Sequence, residues 1–200
     1  MSSEKSFAHR MLLHARIPAS VLMGAAIVFL AQPTLISWIL GFVIVAMGEG
    51  LRLWASGHIH KSAEVTITGP YAMCRHPLYL GHFLVAMGFC ITGNSLLAFI
   101  IVSISFFIIY IPTWKNEEQN LIDLFGDTYR NFMAITPALL PRWNSQIFSG
   151  SFSWALVKQH REWNHLSALL GGMIIMGAIS LLDDNLVMTV IGLFGNSLQP

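Results

Sequence analysis

The sequence predicts an all-α protein, a polytopic bundle of about five transmembrane helices with its N-terminus in the cytoplasm. Three observations lead there. Apolar residues make up 54% of the 200 residues and charged residues only 10%, with a mean hydropathy of +0.62. A soluble chain carries about 25% charged residues, and so few charges cannot cover a globular surface. Apolar stretches of helical length recur between short polar turns, and a hydrocarbon core of about 30 Å needs roughly 20 such residues. All 11 Lys and Arg also fall on one side of the stretches. The near balance of 11 Lys+Arg against 10 Asp+Glu excludes a nucleic-acid binder built on a basic surface. Two cysteines, Cys74 and Cys90, exclude a disulfide-stapled scaffold.

The elements follow in order. Met1 to Arg16 mixes Glu4, Lys5, His9, Arg10, His14 and Arg16 with a few apolar residues. It reads as an amphipathic lead-in and not as a cleavable signal. Ile17 to Ala31 is a first, slightly short span, closed by the turn Gln32-Pro33-Thr34. Leu35 to Trp54 is a full-length second span. Leu78 to Thr92 is the third, closed by Gly93-Asn94-Ser95, and Leu96 to Trp114 is the fourth. Leu166 to Leu182 is the fifth, ended by Asp183-Asp184-Asn185. Leu186 to Phe194 is too short to cross and reads as a separate interfacial or re-entrant piece. The two short turns predict helical hairpins, spans one with two and three with four.

The cations orient the bundle. Lys5, Arg10 and Arg16 precede span one. Arg52, Lys61 and Arg75 lie between or at the ends of spans two and three, and the other five lie between spans four and five. The opposite side carries Gln32, Asn94, Asp183 and Asp184. The positive-inside rule puts both long loops, Ala55 to Pro77 and Lys115 to His165, in the cytoplasm. Cys74 then lies in a reducing compartment and Cys90 in a span, so no disulfide is expected. Nearly all titratable groups share one side, which suits an enzyme using a cytoplasmic cofactor on a membrane-soluble substrate. A transporter usually shows ionisable groups near the midplane and internal repeats, neither of which stands out here.

Several residues could carry chemistry. Glu49 near the end of span two is a candidate by its cost in a membrane; the plainer reading is an ion pair with Arg52 at i,i+3. His58 and His60 suggest a metal pair only weakly, because no Cys or acidic group completes a tetrahedral set, and no metal is expected. The richest segment is Thr68-Gly69-Pro70-Tyr71-Ala72-Met73-Cys74-Arg75-His76-Pro77-Leu78-Tyr79-Leu80-Gly81. Gly69-Pro70 is a turn signal, and Pro77 suits the first turn of a helix. Arg75 and His76 then stand at the N-terminal mouth of span three, beside free backbone donors and the positive helix end, which would suit a carboxylate. Gly81 leaves room for a ligand or a helix. An interfacial anchor explains Arg75 and Tyr79 equally well. Cys74 beside Arg75 suggests a lowered thiol pKa. Span four runs on into Asn116-Glu117-Glu118-Gln119-Asn120-Leu121 and ends near Gly126; the charges alone favour a solvated acidic turn. Pro137 to Pro141 predicts an extended or lid-like loop.

Taken together, Gly-Pro-Tyr-x-x-x-Arg-His-Pro-x-Tyr-x-Gly, two spans, and Glu-Glu-x-x-Leu-x-x-x-Phe-Gly-x-x-Tyr resemble the isoprenylcysteine carboxyl methyltransferase family, which is related to the phospholipid methyltransferases. The resemblance covers about residues 50–142 of a methyltransferase core over 1–142; residues 143–200 lie outside it. It implies an integral membrane methyltransferase using S-adenosylmethionine, with the cofactor enclosed by cytoplasmic helix ends. By motif, His76, Tyr79, Gly81, Glu117, Glu118 and Tyr129 are the implied cofactor-binding positions, and Arg75 and Glu117 the implied catalytic ones. Tyr129 and Pro137 to Arg142 match the segment that covers the cofactor.

The residue types fit that chemistry. Glu117 or Glu118 could pair with the cofactor ammonium or accept from ribose hydroxyls, Arg75 or His76 could hold its carboxylate, and Tyr79 could face the sulfonium. His76, Glu117 or Glu118 could assist an acceptor that must lose a proton. The acceptor implied is lipidic or amphiphilic, a prenylcysteine-like carboxylate, a lipid amine or a small thiol, reached laterally from the bilayer of the inner (cytoplasmic) membrane. Phe132 departs from the family, which often has a second Tyr there. Trp143, Trp154 and Trp163 look like interface anchors, and residues 143–200 could form a homodimer surface or extend the substrate entrance. The competing readings are a membrane reductase using NADPH, for which no basic 2′-phosphate cluster is seen, and a transporter or scaffold.

Overall fold

The computed structural model describes residues 23–59 and 64–195, with side chains through 182. The lead-in over residues 1–16, the first six residues of the expected first span, and His60 and Lys61 lie outside the described residues. Those that are described form helices and loops without a strand. They are α1 (residues 23–29), α2 (Leu35–Ser56), α3 (Pro70–Met73), α4 (Pro77–Thr92), α5 (Leu96–Phe125), α6 (Asp127–Ile135), a 3-10 turn (Ser145–Phe148), α7 (Trp154–Gln159) and α8 (Glu162–Gly195).

Local sequence accounts for the ends. Thr34 caps α2 through a reciprocal box with Ser37. Ser95 caps α5, and Pro77 takes the first position of α4. Gly126 ends α5 at a positive φ of 56°, where a side chain would be strained. Three helices are long and apolar enough to cross a membrane: Leu35–Ser56, Leu96–Phe125 and the Glu162–Leu182 part of α8. The 16-residue α4 is shorter, about 24 Å at 1.5 Å per residue. Their outward faces are apolar and exposed, as at Ile36, Leu40, Ile104, Ile108, Ile174 and Leu182, which suits lipid. The protein is an integral, multi-pass membrane protein.

One boundary expectation is corrected. Leu186 to Phe194 is not a separate piece; α8 runs unbroken through Asp183-Asp184-Asn185 to Gly195. Those three residues are mediocre helix formers, but without Gly or Pro among them the cost is a few tenths of a kcal/mol each, too little to end a helix.

The tightest helix pair is not one of the expected hairpins. Antiparallel α2 and α4 meet backbone to backbone at Gly41 with Gly88 and at Gly48 with Gly81. A Cβ added at Gly48 would stand 2.8 Å from the Gly81 carbonyl oxygen, and one at Gly81 would stand 2.8 Å from that of Gly48. Small residues at a crossing are how apolar helices gain dispersion contacts in lipid. On α5 every fourth residue is buried, from Ala98 through Val102, Phe106, Tyr110 and Trp114 to Glu118. This stripe carries an aromatic core toward the polar end of the bundle, where it meets Tyr79 and Phe83 of α4. α8 docks on α2 through Trp38, whose indole N–H donates to the Met173 carbonyl at 2.9 Å over the bare surface of Gly177.

Candidate active site

The N-terminus of α4 organises the site. His76 is its N-cap and Pro77 its first residue, so the first intrahelical bond is from Leu80 N–H to the His76 carbonyl. The N–H groups of Leu78 and Tyr79 precede that bond and add to the positive helix end. The chain enters through Gly69, at φ 59°, and α3.

A second strand of chain is laid along this entry. Arg75 N–H donates to the Pro137 carbonyl at 2.8 Å, His76 N–H to that of Ala138 at 3.1 Å, and Arg142 N–H to that of Met73 at 2.9 Å. The Pro137 to Pro141 segment, which bends at residues 138–140 and is not extended throughout, is therefore tied by backbone hydrogen bonds to residues 73–76. Side chains reinforce it. The Arg75 Nη1 donates to the Met133 and Thr136 carbonyls, both at 3.0 Å, and its Nε to Glu118 Oε1 at 2.8 Å. The same carboxylate oxygen takes His76 Nε2 at 2.9 Å. The His76 ring lies between Trp114, stacked at 5.9 Å, and Tyr79. Glu118 thus joins α5, the mouth of α4 and the segment after α6. Its neighbour Glu117 is exposed and accepts from the Tyr79 hydroxyl at 3.0 Å.

These groups border a cavity of about 520 Å³. Arg75, His76, Tyr79 and Glu117 form one wall, with Tyr129, Phe132 and Leu124 beyond them. A volume of that size takes a ligand as large as a nucleoside conjugate. Tyr129 is buried against Phe132, and burial with the nearby Glu118 raises its phenol above the ordinary range, so it stays protonated. Tyr71 lines the same cavity with a buried hydroxyl that has no partner; burial and Glu117 raise its pKa as well.

Six of the seven expected site residues meet around this cavity: Arg75, His76, Tyr79, Glu117 and Tyr129 line it, and Glu118 stands behind them. Gly81 stands at the α2 crossing against Gly48 and the Arg52 side chain, and helix approach accounts for it. Cys74 reverses its expectation. Its thiol is fully buried, and that burial pushes it up to about 12, while the neighbouring Arg75 is paired with Glu118.

Sequence reasoning missed a second wall. Arg52 of α2, His82 of α4 and Glu162 of α8 also line the cavity. The Arg52–Glu49 pair forms as the plainer reading expects, at 3.2 Å. Arg52 also donates to Glu162 at 2.5 Å and to His82 at 2.7 Å. His165 Nδ1 stands 3.0 Å from Glu49. The signal was an acid and a histidine at i,i+3, Glu162 and His165, opening a long apolar run. Ligand atoms of Glu49, Glu162 and His165 lie within 4.8 Å of one another. The guanidinium of Arg52 already bridges both carboxylates, and a fixed cation there opposes a metal ion. His58 is packed, its ring nitrogen donating to the Trp54 carbonyl and its face against Phe152.

Comparison with known proteins agrees with the family that the motif resembles. The model of the family described as phospholipid methyltransferase matches residues 22–128, more than half of the chain. The chain belongs to that family. It is 34% identical over 104 residues to the nickel-cobalt-cadmium resistance protein NccN of Alcaligenes xylosoxydans xylosoxydans, covering 51% of this chain and 48% of that protein. It is 28% identical over 119 residues to the cobalt-zinc-cadmium resistance protein CzcN of Cupriavidus metallidurans, covering 58% and 54%. It is 33% identical over 101 residues to the protein-S-isoprenylcysteine O-methyltransferase of Schizosaccharomyces pombe, covering 49% and 42%. The chain spans about half the length of the curated relatives it matches. No solved structure matches it. Of the second wall, Glu162 and His165 lie beyond the matched residues and Arg52 and His82 within them.

Proposed function

We propose that this protein transfers a methyl group from S-adenosylmethionine to a lipidic or amphiphilic acceptor, at a cavity facing the cytoplasm from the inner membrane. The observation that carries the reading is the pairing of Glu117 with Tyr79 at the mouth of α4, on the wall of a cavity that Tyr129 and Phe132 also line. When bound, S-adenosylmethionine supplies an electrophilic methyl group on a sulfonium. Glu117 is open enough to take its ammonium or ribose hydroxyls. The N-terminus of α4 offers backbone donors and a positive end to its carboxylate. Tyr79 offers an aromatic face to a cation. Arg75 and Glu118 are engaged with each other, so we assign them to holding the mouth and the strap after α6 in place. Alignment of donor and acceptor then supplies most of the rate. The family membership supports methyl transfer, and the printed names of two relatives concern metal resistance. The grouping here that resembles a metal site is bridged by Arg52, which favours the methyltransferase reading.

Calorimetry with S-adenosylmethionine on detergent-purified protein tests this. The wild type should bind saturably, and Glu117→Ala and His76→Ala should each weaken binding about tenfold or more, the scale of a lost charge-assisted bond. A folded, monodisperse wild type that binds no S-adenosylmethionine would refute the reading.

A further inference from the structure

The wall built by Arg52, His82 and Glu162 has a charge pattern that bears on the acceptor. Each nitrogen of the Arg52 guanidinium is engaged: Nε with Glu49, Nη2 with Glu162 and Nη1 with His82. The second ring nitrogen of His82 donates to the Leu78 carbonyl at 2.9 Å. One permanent cation therefore serves two carboxylates, on residues only 4% and 7% exposed. Glu49 is the inner one, held between Arg52 and His165, with its other oxygen buried and without a partner. Glu162 is the outer one. It lines the cavity, and Arg52 holds only its Oε2.

An anionic acceptor would add a third negative charge beside a cation that already serves two carboxylates. A group that arrives with a proton to give up meets the opposite situation. An ammonium brings the positive charge that a buried excess of carboxylate requires, and a thiol adds no negative charge before its proton has passed to a carboxylate. The location suits such a role. His82 follows Tyr79 by three residues on α4, about 4.5 Å along the axis. The wall thus lies one helical turn further into the span than the mouth.

We propose that Glu162 takes the proton from the methyl acceptor, and that the acceptor is therefore an amphiphile bearing an amine or a thiol. This rests on the methyltransferase reading of the same cavity. In the step, the acceptor N–H or S–H bond breaks and its proton passes to Glu162 Oε1. The acceptor lone pair forms the new bond to the methyl carbon. The methyl–sulfonium bond breaks, and its electron pair stays on sulfur as a neutral thioether. Arg52 positions Glu162 for this and does not itself react.

The test compares wild type and Glu162→Gln, which keeps the shape and an oxygen for Arg52. Calorimetry with S-adenosylmethionine comes first, followed by transfer of a labelled methyl group to phosphatidylethanolamine, hexadecanethiol and S-farnesyl-N-acetylcysteine in mixed micelles. Wild type should label one of the first two. Glu162→Gln should bind the donor within about threefold of wild type yet transfer about 100-fold more slowly or worse at pH 7, the scale of a lost general base. The deficit should shrink as pH approaches the acceptor's own pKa, which a merely structural role would not produce. The groups that face Glu162 in that profile are Arg52 and Glu49 on α2, His82 on α4, Tyr71 on α3 and His165 on α8. Transfer by Glu162→Gln at the wild-type rate would overturn the proposal. So would preference for the farnesylated carboxylate, or labelling of none of the three by protein that binds the donor. Loss of donor binding in the wild type would instead refute the methyltransferase reading.

Discussion

The two walls of the cavity use the same parts to different ends. Each pairs an arginine with a buried glutamate and a histidine. At the mouth of α4, Arg75 and His76 are adjacent in sequence and share one oxygen of Glu118, so two donors face a single carboxylate. At the inner wall Arg52 faces two carboxylates, and its partners come from three helices. The mouth is a short motif braced by backbone hydrogen bonds to the strap over 137–142. The inner wall exists only because α8 reaches the end of α2. A local motif can be read in a chain, whereas an assembled wall becomes visible only when helices distant in sequence are brought together.

The largest expected effect falls on the braced wall. Glu118→Ala leaves Arg75 and His76 buried without their shared acceptor. It should cost about 3–5 kcal/mol of stability, the scale for breaking a buried pair, and should abolish S-adenosylmethionine binding. Denaturant unfolding in detergent and calorimetry read the two losses. A variant as stable as wild type would mean that the brace is the backbone alone.

The second effect separates the walls. Gly48→Leu would drive a side chain into the Gly81 carbonyl and Leu84, forcing α2 from α4. The expected cost is about 1–3 kcal/mol by thermal unfolding. Because Arg52 and His82 sit on those two helices, transfer should fall more than donor binding does. Equal loss of both would show that the walls move as one body.

The smallest effect concerns Cys74. Its thiol is raised to about 12 from 9.0, so the folded protein holds the proton longer than the unfolded chain. The associated stability is complete below pH 9 and declines as pH rises toward 12. At pH 8 in the folded protein, alkylation by iodoacetamide should be about a thousandfold slower than for a free thiol, by thiolate fraction alone. Rapid alkylation would mean that the mouth opens.

The motif wall was legible because its chemistry is written in neighbouring residues. Gly69-Pro70 and Pro77 mark the turns, Arg75 and His76 follow from them, and Glu117-Glu118 continue an apolar span. What their neighbours did not disclose is the division of labour. Glu117 and Glu118 are indistinguishable as adjacent acids, yet the fourfold spacing of buried residues on α5 turns Glu118 inward and leaves Glu117 exposed. Burial likewise reversed the expectation for Cys74, raising its thiol while the neighbouring Arg75 is paired with Glu118.

By itself the sequence determined an α-helical membrane protein, the helix starts at Thr34, Ser95 and Pro77, and the motif that names the family. These depend on hydropathy, turn chemistry and residues close in the chain, all of which are local quantities. Only the tertiary structure decided which helices touch, that Gly81 serves a helix crossing, and that Arg52, His82 and Glu162 share a cavity with the motif. In lipid every face of an apolar helix is equally acceptable to its solvent. The choice of partner therefore falls to close packing of glycines and to the pairing of buried charges, and both are properties of the assembled bundle.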